Sequence, residues 1–282
     1  MSPEQSLPAP EHGRVYLHGH APATGGRSSR RVLTIALSVK AQDYPQRFFW
    51  ARDNAFALEY TPDPLSPERA RQHTSPFTRD GIPVRFHFRF GDYELGDADA
   101  VKASAALAVH TRVIDEVAGL GEPVITVHLN LNKDIPFNIQ RGIENLTRLV
   151  DHAGARGMTV CLENLRLGPA SDPANVLAWA KASGAMITLD IGHAVSSACV
   201  QGGKYTVPGI VALFGKWLHE AHVYGRETDR HYPIEDMTPY KPVIDGLLAT
   251  GCAWWTVELE SLEEALATRR RLIEYLAEQH KC

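Results

Sequence analysis

Side chains of the kinds that bind divalent metals follow several short apolar segments of this sequence. They are His87, His128, Glu163, Asp190, His193, His222, Asp229, His231 and Glu258. A mixture of carboxylates and imidazoles without thiolates suits Zn²⁺, Mn²⁺, Fe²⁺ or Co²⁺ better than Ca²⁺. Burying a carboxylate is costly unless it is paired or binds a cation, and a divalent ion removes that cost. The pattern therefore predicts a metal site.

Each of these residues alone has a simpler interpretation. A lone histidine at a strand end is more often a hydrogen-bonded structural residue. A carboxylate there often caps the next helix, as Glu163 with Asn164 would. Nine such residues after successive segments are hard to explain as independent caps. Two interpretations of Glu59 stay open, because it either lines the same site or only contacts a neighbouring loop.

The apolar segments themselves have the length and composition of buried strands. There are eight, at residues 32–38, 55–60, 83–90, 123–131, 158–165, 186–194, 217–225 and 252–260. Short segments rich in Val, Ile and Thr are typical of parallel strands that are buried on both faces.

The stretches between the segments carry helical signals. Residues 97–120 and 138–155 have apolar residues at i, i+3 and i+4. Ser171-Asp172-Pro173 is a helix start, with a capping residue before a proline. A last helix over 261–280 begins with the capping box SLEE, in which Ser261 is the cap and Glu264 the third residue.

Eight alternations of strand and helix predict an α/β fold, a single (β/α)8 TIM barrel. A doubly wound open sheet is the alternative, although no glycine-rich nucleotide motif supports its usual ligand. In a TIM barrel the carboxyl ends of the strands meet at one mouth, so the candidate ligands are expected to converge there. Residues 1–30, rich in Pro, Gly, Ser and Arg, are predicted to be a flexible extension before a catalytic domain at 31–282.

The composition narrows the class of protein. A net charge of −4 over 282 residues argues against nucleic acid as a partner, because phosphate contacts need Lys and Arg. No apolar stretch is long enough to cross a membrane, and no apolar leader is visible, so neither a membrane protein nor a secreted one is expected. Four scattered cysteines predict free thiols in a reducing cytoplasm.

The motifs VHLNL, VCLENLRLG, ITLDIGHA, HVYGRETDRHYPI and VELE, spread over residues 32–275, resemble a known superfamily. It is that of the xylose-isomerase-like TIM barrels, which includes sugar (phosphate) isomerases and epimerases together with endonuclease IV (AP endonuclease family 2). The resemblance implies a central metal held by Glu163, Asp190, His222 and Glu258. It also implies that Glu163 and Glu258 act as catalytic acid and base, and that His193 contacts the substrate.

Resemblance to endonuclease IV adds an outer set of ligands and implies up to three ions. The matching positions are His87, His128, His193, Asp229 and His231. The sequence departs from the family in the short loop between His222 and Asp229, which leaves His219 as an alternative to His222. Arg226 and Arg230 are expected near the mouth as ligands for a substrate phosphate or carboxylate, or as solvated loop residues.

Three functions follow from these expectations. The first is a divalent-metal isomerase or epimerase that abstracts a proton next to a carbonyl of a sugar, sugar phosphate or related keto-polyol. Its substrate-binding residues would be His193 and Arg226, and a homo-oligomer is compatible with it. The second is a phosphodiesterase acting on abasic DNA, which needs a basic groove and apolar wedges such as Phe88, Phe90 and Tyr93. The third is an inert barrel that only binds a partner.

Overall fold

The computed structural model describes residues 12–17 and 31–279 of the chain. Its strands are β1 (Arg14–Leu17), β2 (Arg31–Lys40), β3 (Ala57–Thr61), β4 (Val84–Phe88), β5 (Val124–Val127), β6 (Thr159–Glu163), β7 (Met186–Asp190), β8 (Leu218–His222), β9 (Arg226–Glu227), β10 (His231–Tyr232) and β11 (Trp254–Val257). Strands β2 to β8 and β11 pair in parallel with their neighbours. The ring closes between β11 and β2, where Trp254 lies opposite Thr34. The predicted TIM barrel is confirmed.

Helices surround the barrel and alternate with its strands. They are α1 (Gln46–Asp53), α2 (Arg69–Arg79), α3 (Ala100–Val117), α4 (Ile139–Gly154), α5 (Pro173–Ser183), α6 (Ile191–Ser196), α7 (Ala198–Gln201), α8 (Val207–Phe214), α9 (Lys241–Thr250) and α10 (Leu262–Gln279). None of the described helices is both long and apolar enough to cross a membrane.

Both helix starts that the sequence predicts from capping residues are present, although the second lacks part of its expected capping box. Asp172 accepts the backbone N–H of Ala174 ahead of α5, as the Ser-Asp-Pro motif predicts. Ser261 caps α10 by accepting the N–H of Glu264. The Glu264 carboxylate does not complete the capping box, because it forms two hydrogen bonds with Arg230, at 2.7 and 2.9 Å.

Part of the predicted N-terminal extension is a strand. β1 pairs antiparallel with the first residues of β2, and Val15 and Leu17 are buried. Gly13 makes this docking possible, because a Cβ at that residue would lie 2.3 Å from the backbone nitrogen of Ala57. The prediction of a flexible arm over residues 1–30 therefore does not hold for the four residues of β1, which alternate between half-buried and buried. Residues 1–11 and 18–30 lie outside the described residues.

The thiols that are described do not form disulfides. Cys161 and Cys252 are buried and Cys199 is half-buried, each as a free cysteine. This agrees with the prediction for these three, while Cys282 lies outside the described residues.

Candidate metal centre

Four buried side chains converge at the carboxyl ends of consecutive barrel strands. Glu163 ends β6, Asp190 ends β7, His222 ends β8, and Glu258 directly follows β11. From Nδ1 of His222, the nearest carboxylate oxygens lie 3.4 Å away on Glu163, 3.9 Å on Asp190 and 3.2 Å on Glu258. One ligand atom from each of the four lies within 4.8 Å of the others. We call these residues the quartet.

The backbone around Asp190 is fixed by its neighbours. Asn164 donates from its amide to the carbonyl of Asp190 and accepts the Asp190 N–H, so it ties the end of β6 to that of β7. Oδ1 of Asp190 caps α6 by accepting the N–H of His193 at 2.6 Å. The capping and metal-binding interpretations of this carboxylate are therefore compatible, since Oδ2 still faces the quartet.

The crowding of carboxylates in the quartet shifts their pKa values in opposite directions. Burial and the charge of Glu163 raise the pKa of Asp190 well above its ordinary value. Burial also opposes ionisation of Glu163, but His128 and His222 hold its pKa well below the ordinary value. Two carboxylates that share one site repel each other when both are ionised, so the pKa of one is raised while that of the other is lowered.

Several buried polar atoms of the quartet lack hydrogen-bond partners, and this bears on whether a cation fits between them. Both carboxylate oxygens of Glu163, Oδ2 of Asp190 and Nδ1 of His222 are buried and lack a hydrogen-bond partner among the described residues. Buried polar atoms are normally paired, so a converging set of unpaired acceptors needs an explanation. A divalent cation satisfies all of them at once, and the donor set suits one.

A second cluster shares Glu163 with the quartet. Its Oε2 lies 3.2 Å from Nε2 of His87 and 3.0 Å from Nε2 of His128. The two histidine nitrogens are 3.3 Å apart. Three ligand atoms at such spacing could hold a second ion, for which Glu163 would be a bridging ligand.

A third cluster is formed by His193, Glu227 and His231. Nδ1 of His193 donates to the carbonyl of Asn164 at 2.9 Å, and Nδ1 of His231 donates to the carbonyl of Glu258 at 2.8 Å. In the neutral form each Nε2 then carries a lone pair, and that of His193 lies 3.4 Å from Oε2 of Glu227. Hydrogen bonds of this kind orient metal-binding histidines in proteins.

Asp229 does not join the third cluster. It lies in the turn between β9 and β10, is exposed, and accepts hydrogen bonds from Thr228 and Tyr232. Glu227 occupies the position beside His231 that was expected for Asp229, because the hairpin pairs Glu227 directly with His231. The Asp-x-His spacing puts both side chains on one face only in a continuous strand, and this strand turns.

Arg226 was expected to contact the substrate, and His219 was the alternative to His222 as a metal ligand. Arg226 is exposed, and its guanidinium lies over the ring of Tyr232, 5.1 Å from the centroid. It is not among the described residues that line the cavity over the clusters. His222, rather than His219, faces the quartet, because β8 places it opposite Asp190.

The sequence pattern of one protein family, the xylose isomerase-like TIM barrel, matches residues 46–279. The chain belongs to this family. An uncharacterized protein of Methanocaldococcus jannaschii is 31% identical to it over 157 residues, which are 55% of this chain and 68% of that protein.

Two solved structures share the xylose isomerase-like barrel. L-ribulose 3-epimerase has a TM-score of 0.69 at 17% identity, over 88% of this chain and 96% of its own. Endonuclease IV from Thermus thermophilus has a TM-score of 0.64 at 14% identity, over 86% of this chain and 99% of its own. At these identities the two likenesses establish the fold that is shared.

Beneath the quartet, this xylose isomerase-like barrel has a polar layer, of which the sequence had indicated only Glu59. Glu59 is fully buried, and Nε2 of His222 lies 3.1 Å from its Oε1. A proton donated there leaves Nδ1 of His222 as the lone pair facing the quartet. Arg85 pairs with Glu220 at 3.1 Å in the same interior. The sequence does contain a signal for Arg85 and Glu220. Each precedes a candidate histidine by two residues, so its side chain lies on the same face of the strand as that histidine.

The third cluster gives a direct prediction. Glu227→Gln should lower the number of ions bound per chain or weaken the last one bound, because it removes the carboxylate of that cluster. Asp229→Asn, in the turn of the same hairpin, should leave binding unchanged. Equilibrium dialysis against Zn²⁺ with elemental analysis measures both. The opposite ranking of the two variants would show that Asp229 is the ligand.

Proposed function

We propose that this protein is a divalent-metal-dependent isomerase or epimerase acting on a small sugar, sugar phosphate or related keto-polyol. The observation that carries the proposal is the quartet, in which Glu163 and Glu258 are buried ligand candidates that also line one cavity. The ion would be held by the quartet and would be Zn²⁺, Mn²⁺, Fe²⁺ or Co²⁺. A bound divalent ion polarises carbonyl and hydroxyl oxygens and so makes the adjacent C–H more acidic.

The two glutamates supply the proton chemistry in this proposal. Although burial opposes ionisation, hydrogen bonding and charge from a protonated His222 hold the pKa of Glu258 well below its ordinary value, and the pKa of Glu163 is shifted in the same direction. A divalent ion would take over this stabilising role, since a neutral His222 would offer it the lone pair of Nδ1. Both carboxylates can therefore serve as proton acceptors. One ionised glutamate would remove the proton from the carbon beside the carbonyl. The other would take up a proton from solvent and return it to the opposite face, after which the first would release its proton to solvent.

Residues around the glutamates would orient the substrate. His193 lines the same cavity and presents Nε2 as a lone pair beside Glu227, because its Nδ1–H is donated to the carbonyl of Asn164. It can accept a hydrogen bond from a substrate hydroxyl. The cavity has a volume of about 190 Å³ and adjoins a second one of about 310 Å³ that shares Glu258, Glu227 and His231. Together they have the size of a small-molecule site.

A second candidate function is cleavage of abasic DNA, which the second and third clusters favour because they offer positions for additional ions. The net charge of −4 opposes it, since duplex binding depends on phosphate neutralisation.

The two functions are separated by paired assays on metal-loaded protein. A panel of ketoses and their phosphates in D₂O should show deuterium entering the carbon beside a carbonyl, detected by NMR. A duplex with one abasic site should stay intact under the same conditions. Cleavage of the duplex that disappears in Glu163→Gln, with no deuterium entering any sugar, would overturn the proposal in favour of the second function.

A further inference from the structure

Three cationic side chains line the cavity over the clusters and have no part in the proton chemistry. Arg89 follows β4, Lys133 lies in the loop after β5, and Arg166 lies in the loop after β6. They come from three consecutive strands, so they share one side of the mouth. None was singled out by spacing in the sequence.

Each cation is held in place while some of its donors stay available. Nη1 of Arg89 lies 3.3 Å from Oε1 of Glu258, and Nε of Arg166 lies 2.8 Å from Oε2 of Glu227. These are the only hydrogen bonds that the two guanidinium groups make with described residues, and a guanidinium has five N–H donors. Lys133 donates to the side-chain oxygen of Asn130 at 3.1 Å and to its carbonyl.

Two other arginines near the mouth already form several hydrogen bonds within the protein. Both terminal nitrogens of Arg230 donate hydrogen bonds to the carboxylate of Glu264. Arg47 donates to the backbone carbonyls of Ser38, Leu259 and Glu260. The anion ligands expected in the loop after β8 are thus replaced by the three cations on the opposite loops.

With two ions bound, the charge balance of the site favours an anion. Five carboxylates, on Glu59, Glu163, Asp190, Glu227 and Glu258, oppose three cations at the mouth. One divalent ion leaves the site neutral and two leave a net charge of +2, with the histidines neutral and the Arg85–Glu220 pair cancelling. A concave site with excess positive charge attracts and binds negatively charged ligands.

We propose that the substrate carries an anionic oxygen group, a phosphate or a carboxylate, which binds to Arg89, Lys133 and Arg166. The reacting carbon then lies over the quartet at the floor of the same cavity. This inference rests on the proposed function and narrows its substrate class from sugars in general to anionic polyols. Guanidinium groups match the geometry of both oxyanions, so the anion itself is left for experiment to identify.

The test is calorimetric titration of metal-loaded protein with inorganic phosphate, with acetate and with glycerol. Phosphate or acetate should bind and glycerol should not, and the tighter anion identifies the group. Arg89→Gln and Lys133→Gln should each weaken that binding about tenfold, since a charge-assisted hydrogen bond is lost. Arg148→Gln, an exposed arginine on α4, is the matched control and should bind like wild type.

Measuring the metal content of every sample distinguishes a failure of the proposed metal-dependent function from a failure of the anion-binding inference. Wild-type protein that holds no ion contradicts the proposed function. Metal-loaded wild type that binds neither anion contradicts the present inference alone. The same holds if Arg89→Gln and Lys133→Gln keep both their metal and the wild-type anion affinity, because the anion then binds only to the ions.

Discussion

Glu163→Gln is expected to lose most of the metal-binding capacity of the protein and essentially all of its turnover. Oε2 of Glu163 faces His87 and His128 in one cluster and His222 in the quartet. An amide keeps the shape but removes the charge and replaces one acceptor with a donor among unpaired acceptors. We expect the affinity for Zn²⁺ or Mn²⁺ to fall at least about 100-fold, since changes in the outer shell alone cost roughly 10–100-fold.

Competition with a fluorescent chelator measures that affinity, and far-UV circular dichroism checks the fold. Glu144→Gln on the exposed face of α4 is the matched control, because it removes the same charge away from the site. A Glu163→Gln protein with wild-type ion number and affinity would remove Glu163 from the site.

Glu258→Gln is expected to lower kcat by about 10² to 10⁴, the range of general acid–base catalysis. Glu258 belongs to the quartet alone, whereas Glu163 is shared, so its loss should affect metal content less. Its side chain is also held by Arg89, which keeps it in the cavity. The measurement is the rate of deuterium uptake by whichever sugar responds in the exchange screen, at saturating metal.

Glu263→Gln, an exposed neighbour at the start of α10, controls for the charge change. Full exchange activity in Glu258→Gln would rule out the two-glutamate mechanism, even if the metal centre is present.

The barrel was predictable because its strands and helices have strong periodic signals. β5, for example, is four consecutive buried residues, VITV, flanked by long amphipathic helices. The convergence of the candidate ligands could be predicted by the same reasoning, since residues at the carboxyl ends of parallel strands must meet. The choice of the quartet among them came from the family resemblance. Which side chains of the mouth belonged to which cluster did not follow from strand order.

The other site residues were missed for three distinct physical reasons. Glu227 depends on a hairpin with only two paired residues on each strand, and no local pattern in HVYGRETDRHY predicts where that turn falls. Arg85 and Glu220 lie within strands, in an interior layer that is usually filled by branched apolar residues. A period-two comparison of Glu220 with His222 would have indicated this layer. Arg89 and Arg166 act through loops, whose shape is not encoded in the strand pattern.

The central claim is that the quartet holds a divalent ion. Crystals grown with Mn²⁺ and measured for anomalous scattering test it most directly. The strongest anomalous peak should lie among Glu163, Asp190, His222 and Glu258, within coordination distance of all four side chains. A map from metal-saturated crystals with no peak there, or with ions only at surface carboxylates, would contradict the account.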